Sequence, residues 1–253
     1  MVNMRYKLIC CDVFSREMYD ALLKSSNNVF PVFTMKMSHE YPDRLRELIQ
    51  KEIDNTDPDI FSHILLGYGL CGNAIAGLKT GRIPVVIPRA HDCCTIFLGS
   101  KQSFKKHFGH RPSCRWTSGG YMQDGDYYLR KSEVHQFLGI DMSFEELAEK
   151  YGEENARYII ETLAPKDDSD KQVVFIETPP YEKFDLKKRA ETEAEKDGRS
   201  FESIQGDTRL LEMLVNGDWN EEDFLIVPPY HMIEGVYDSD IIVKAVPAGN
   251  PDE

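Results

Sequence analysis

Two short apolar runs, residues 64–68 (ILLGY) and 84–88 (PVVIP), constrain this chain more than any other feature. Each is too short for an amphipathic helix and shows no polar alternation, which is the pattern of strands buried on both faces. Such strands are neighbours in a parallel sheet covered by helices, so the chain is read as an α/β protein. Gly67 near the end of the first run and Gly69, Gly72 and Gly77 between the two permit tight turns and close approach of backbone to a ligand. Cys71 follows the first run, and His91, Asp92, Cys93 and Cys94 follow the second. These positions lie at the carboxyl edge of a parallel sheet, where open α/β folds bind ligands.

The flanking sequence supports that arrangement. Residues 6–13 (YKLICCDV) predict a first strand with Cys10 and Cys11 at its end, and Ser15 is placed to start a helix through about residue 24. Residues 29–35 predict a second strand, and 42–54 a sheet-covering helix on the spacing of Leu45, Leu48, Ile49 and Ile53. A helix starts near Thr95, and residues 113–117 form a fifth strand before Ser118, Gly119 and Gly120. From 131 to about 163 the pattern is helical, with a capping box at Ser143 and Glu146, and a linker follows around Pro165. Beyond it come strands at 173–177, 201–204, 224–227 and 241–246, with helices at 181–197 and 207–216. The expected architecture is two Rossmann-like lobes with largely parallel sheets and a cleft at the strand carboxyl ends. Residues 1–130 would form the first lobe, 131–170 a helical connection and 171–253 the second lobe.

Charge excludes some partners. With 30 basic and 43 acidic side chains the formal charge is −13, which argues against a nucleic-acid partner or an anionic membrane surface. No apolar run approaches the ~18 residues that span a bilayer. The opening residues MVNMRYKLICCDVF lack a signal peptide's long apolar region and small-residue cleavage site, so a cytoplasmic location is expected. Six cysteines in that compartment are reduced thiols, open to packing, metal binding or catalysis.

Cys11, Cys71 and Cys93 each follow a different strand, and in a parallel sheet all three come to one edge. Three thiolates with an open position suit zinc or an iron–sulfur cluster, because soft sulfur ligands select those metals. There is no CxxC, the candidates lie far apart in sequence, and cysteine also packs as a small hydrophobe, so core packing with one reactive thiol is the alternative. Cys10, facing opposite to Cys11, is read as packing. His91 and Asp92 are the candidate proton donors and ligand-orienting groups. Gly69, Gly72, Arg89 and Trp116 would line the pocket. Tyr230 and His231, in the Pro-Pro-Tyr-His turn after residues 224–227, would approach from the second lobe. The glycines at 67, 69 and 72 are similar to a dinucleotide fingerprint, but they follow the third strand and enclose a cysteine.

Taken in order, YGLCGNAIAGL, IPRAHDCCTIFLGS and RPSCRWTSGGY resemble the domain of unknown function 1638 family of methanogens and other anaerobes, often encoded beside corrinoid methyltransferases. LICCDVF and FLIVPPYHMI look like that family's first and late strands. The resemblance marks Cys11, Cys71 and Cys93 as shared thiols and Gly69, Gly72 and Gly99 as accompanying glycines. Cys10, Cys94 and Cys114 are additional, and Pro112-Ser-Cys departs from the family's Pro-Gly-Thr. The resemblance implies that genomic setting; together with the three cysteines it leads to the expectation of a metal or iron–sulfur protein serving corrinoid-dependent methyl transfer or one-carbon metabolism, with a zinc-thiolate methyltransferase as its enzyme version. The corrinoid would be carried by a partner protein. The competing reading is a metal-free protein that binds a small anion or docks on a methyltransferase.

Overall fold

The computed structural model describes residues 4–35, 42–71, 73–111, 114–123 and 171–248 (237 and 239 apart), with the single positions 148, 149, 152, 153 and 157. Apart from those single positions, the expected helical connection at 131–170 lies outside the described residues, as does Gly72.

Strand β1 (Arg5–Cys11) runs into a 3₁₀ turn (Asp12–Phe14) and helix α1 (Ser15–Lys24). Then come β2 (Asn28–Thr34), α2 (Pro42–Asp54), β3 (His63–Gly67) and β4 (Val85–Pro88). Next are α3 (Cys93–Phe97), α4 (Lys101–Phe108), β5 (Arg115–Ser118) and the single turn α5 (Gly119–Met122). The remainder forms β6 (Gln172–Glu177), a 3₁₀ turn (Pro179–Tyr181), α6 (Leu186–Lys196), β7 (Ser200–Gln205) and α7 (Arg209–Asn216). Strands β8 (Phe224–Val227), β9 (His231–Gly235) and β10 (Val243–Pro247) complete it.

The first sheet has the order β2-β1-β3-β4-β8, parallel through β4. Helices cover both faces. Lys7 reaches Glu52 of α2 at 3.1 Å, while Tyr6 on the opposite face packs on Trp219 just after α7. Leu45, Ile49 and Ile53 of α2 are buried as the helical spacing predicts, each burial stabilising by roughly 1.5–3 kcal/mol, whereas Leu48 lies at the exposed margin of that stripe. A second, three-stranded parallel sheet has the order β5-β6-β7, and β9 and β10 form an antiparallel hairpin. Val174, Ile176 and Ile204 of the second sheet share one apolar core with β1, β3 and β4. The opposite face packs Phe175 on Met122 and Ala190.

Two strand placements differ from the sequence reading. Pairing crosses the boundaries expected at residues 130 and 171: β5 joins β6, and β8 returns to the first sheet beside β4. Moreover β8 is antiparallel, Phe224 opposing Pro88 and Val227 opposing Val85. An apolar run states that a strand is buried and not which sheet or direction it takes. The hairpin strand β9 was not expected, since HMIEG carries little apolar signal.

Close backbone approach fixes how the two sheets meet. A Cβ at Gly120 would lie 1.8 Å from the carbonyl oxygen of Val13, so only glycine lets α5 rest on the turn after β1. Gly120→Ala is expected to destabilise by about 3 kcal/mol in urea titration. Gly81→Ala, where a Cβ meets nothing within 4 Å, should stay within about 0.5 kcal/mol of the parent.

Candidate functional site

The carboxyl ends of β1, β3 and β4 lie side by side, with the strand order reversing direction between β1 and β3. The loops leaving β3 and β4 are joined by two backbone bonds, Leu70 N–H to the Ala90 carbonyl (2.8 Å) and Cys71 N–H to the His91 carbonyl (2.9 Å). Gly69 makes this possible, because a Cβ there would stand 2.8 Å from the backbone of Asp92. The consequence is chemical: Cys71 Sγ and Cys93 Sγ lie 3.8 Å apart. Cys71 holds a left-handed backbone (φ 46°), a conformation costly for a non-glycine residue and frequent at functional sites.

Asp92 caps α3, its Oδ1 accepting from Thr95 N–H (3.0 Å) and from the Thr95 hydroxyl (3.2 Å). Burial raises its carboxyl above the usual range. This cap begins α3 at Cys93 rather than at Thr95, and so turns Cys93 toward Cys71. The hydrogen bond with Cys71 and then burial push the Cys93 thiol well above the ordinary cysteine range, while a hydrogen bond from Tyr121 opposes them. Tyr121 stands on α5 with Trp116 edge-on to its ring at 5.3 Å, so the second sheet supplies one wall of the thiol pair.

Cys11 is in register with Thr34 on one side. On the other side Tyr68 reaches past it to bond Thr34 Oγ1 at 2.5 Å. Burial, then the nearby Cys11, raise the Tyr68 phenol well above its usual value. Cys10 points to the other face, and its thiol donates to the carbonyls of Cys11 and Gly67. Cys94 is buried in α3, and Cys114 bonds Gln172 in the second sheet. Thus Cys71 and Cys93 come together as expected. Among the described residues, no three His, Cys, Asp or Glu side chains form a group that could hold a metal ion. Cys11 stands at the same edge without completing a coordination set.

Three other candidates are placed elsewhere or otherwise engaged. Arg89 donates from Nε to the carbonyls of Glu221 and Phe224 and from Nη1 to those of Ile241 and Val243, at 2.6–3.2 Å, so it clamps the C-terminal segment instead of facing the pocket. Tyr230 and His231 follow β8, whose antiparallel course carries them to the opposite edge of the sheet. There Tyr230 N–H bonds the Gly81 carbonyl, His231 N–H bonds Thr80 Oγ1, and Tyr230 is 62 % exposed. His91 remains at the thiol edge, half-buried, and contributes its backbone carbonyl to the loop clasp.

Sequence reading missed Tyr121, Tyr68 and Glu17. The first two follow a strand end directly or after two glycines, which was the usable signal. Glu17 gave none, because an acid in the first turn of a helix is ordinarily a solvated partner of the helix dipole.

Fold and site define an α/β protein with a thiol pair at the carboxyl edge of a parallel sheet. The family model described as "Protein of unknown function (DUF1638)" matches residues 33–215. The chain belongs to that family, as its motifs indicated. Neither the curated proteins nor the solved structures give a match. No helix among the described residues is long and apolar enough to cross a membrane.

Two consequences are measurable. Cys71 is the one half-buried cysteine and the other five are buried, so iodoacetamide at pH 8 should label Cys71 first, with Cys93 at least about tenfold slower than a free thiol by peptide mass mapping. Burial pushes the Glu17 carboxyl up to about 7 from 4.5. A carboxyl raised on folding favours the folded state below its unfolded pKa and loses that contribution as pH rises through the folded value. The parent should therefore lose up to about 3 kcal/mol of stability between pH 4.5 and 8 that Glu17→Gln does not lose, read from urea midpoints at each pH.

Proposed function

We propose that the Cys71–Cys93 pair binds a soft metal, zinc or the iron of an iron–sulfur cluster, and that the protein serves corrinoid-dependent methyl transfer or one-carbon metabolism. The 3.8 Å sulfur separation carries this reading. Two thiolates each about 2.3 Å from one tetrahedral ion lie about 3.8 Å apart, so the pair is already spaced for shared coordination. Cys11, on the adjoining strand, is the proposed third ligand and must turn toward the pair on binding. Metal binding deprotonates thiols, and a cation between the sulfurs would replace the Cys71 hydrogen bond and offset the burial that together hold Cys93 protonated. A zinc thiolate is a nucleophile toward methyl donors, which is what this chemistry would contribute.

In this reading the two Rossmann-like sheets face each other across a cleft at their carboxyl edges. Gly69 and Trp116 border it, and His91 and Asp92 handle protons or orient the ligand. Gly72, next to Cys71 in sequence, is a further proposed ligand-binding residue. The corrinoid belongs to a partner protein, and the compartment is the cytoplasm, where thiols stay reduced. A metal-free alternative also has support. The raised Cys93 pKa and the incomplete ligand set among the described residues favour a protonated dithiol in an accessory protein that binds a small ligand or docks on a methyltransferase.

Metal content discriminates between them. After anaerobic purification, elemental analysis and an absorption spectrum should show about one zinc or one iron–sulfur cluster per chain. Cys71→Ser and Cys93→Ser should each lose most of it, Cys11→Ser should bind at least about tenfold more weakly, and Cys114→Ser should retain it. A parent protein that stays metal-free after anaerobic reconstitution with either metal contradicts the metal reading and leaves the accessory-protein one.

A further inference from the structure

Glu17 lies on α1, one helical turn after Val13, and is 1 % exposed. Thr178 Oγ1 donates to its Oε1 at 2.7 Å, whereas Oε2, sealed from solvent, has no hydrogen-bond partner among the described residues. The buried hydroxyl of Ser118 is unpartnered in the same way. Buried polar atoms are nearly always bonded, so two such groups in one region ask for a ligand.

They share a region because of strand register. Ser118 is paired with Ile176, and Thr178 lies two residues further along extended backbone, so Ser118 and Thr178 project from one face of the second sheet. The turn after Ser118 seats Gly120 on the Val13 carbonyl, which brings that face onto the start of α1, where Glu17 meets Thr178.

The charge around Glu17 defines what is missing. Arg16 sends its guanidinium over the rings of Phe184 and Tyr181, at 4.5 and 5.6 Å from their centroids. Cys10, the buried thiol on β1 that senses Glu17, bonds two carbonyls and supplies no positive charge. Burial raises the Glu17 carboxyl most, and the Thr178 hydroxyl, the Glu17 backbone N–H and last the Arg16 charge oppose it.

We infer that Glu17 Oε2 and Ser118 Oγ form a binding site for the primary ammonium group of a small molecule. Such a group carries several N–H donors for two waiting acceptors, and its charge offsets that of the carboxylate. A hard metal ion fits less well, since calcium takes 6–8 oxygens and magnesium six. The inference is independent of whether Cys71 and Cys93 hold a metal.

The test is thermal unfolding of the full chain titrated with ethylammonium chloride, against tetramethylammonium chloride and sodium chloride at equal ionic strength. Ethylammonium should raise Tm saturably, with apparent affinity about tenfold higher at pH 8.5 than at pH 6, because the carboxyl must ionise near 7. Tetramethylammonium, which has no N–H, should give no saturable shift. Glu17→Gln should abolish the ethylammonium response, Ser118→Ala should weaken it severalfold, and Gly81→Ala, where a Cβ meets nothing within 4 Å, should leave it intact. Should Glu17→Gln fail to fold by circular dichroism, Ser118→Ala decides. Equal responses to the three salts, or an undiminished response in Ser118→Ala, would overturn the inference.

Discussion

The loop clasp after β3 and β4 is the constraint on which the site depends. Two backbone bonds tie residues 70 and 71 to residues 90 and 91, and they form because Gly69 has no Cβ to strike Asp92. Parallel strands deliver their loops to one edge in any α/β protein. The clasp does more, setting Cys71 beside Cys93 although 22 residues separate them in sequence. It also leaves Cys71 in a left-handed conformation that the surrounding bonds must hold.

The second sheet closes this edge through small residues. Gly119 lies against the Tyr181 ring and Gly120 against Val13, so α5 sits low enough for Tyr121 to bond Cys93. The hydrogen bond with Cys71, and then the burial that comes with this closure, make the Cys93 thiol hard to ionise. A neutral pair is stable as it stands, and the same burial would strengthen any charge-neutralising ligand. The same logic holds on the Glu17 side of the closure, where a carboxyl rather than a thiol meets the cost of burial.

Much of this was legible in the sequence. Helix α2 runs Pro42–Asp54 and strand β8 Phe224–Val227, as patterning indicated, and β3 and β4 are the buried parallel neighbours that their apolar runs required. Cysteines after strand ends pointed correctly to one edge. Direction and partnership of strands were not legible, because burial leaves the same signature on FLIV whether it runs with β4 or against it. That ambiguity moved Tyr230 and His231 to the wrong edge. Arg89 was misread for a related reason: an arginine after a strand can meet an anion or four carbonyls, and only the return of the C-terminal segment decides. Tyr121 became visible once the approach of the second sheet was known.

Everything at this edge turns on Cys71 and Cys93 forming a close, reduced pair in the folded protein. Trivalent arsenic bridges two neighbouring thiols and reports such pairs directly. Folded protein, stripped of any metal, should take up one equivalent of phenylarsine oxide and thereby shield both Cys71 and Cys93 from alkylation. Cys71→Ser and Cys93→Ser should each abolish uptake, while Cys94→Ser and Cys114→Ser should not. Absence of a stable adduct with folded protein, or an adduct that survives in Cys71→Ser, would contradict it.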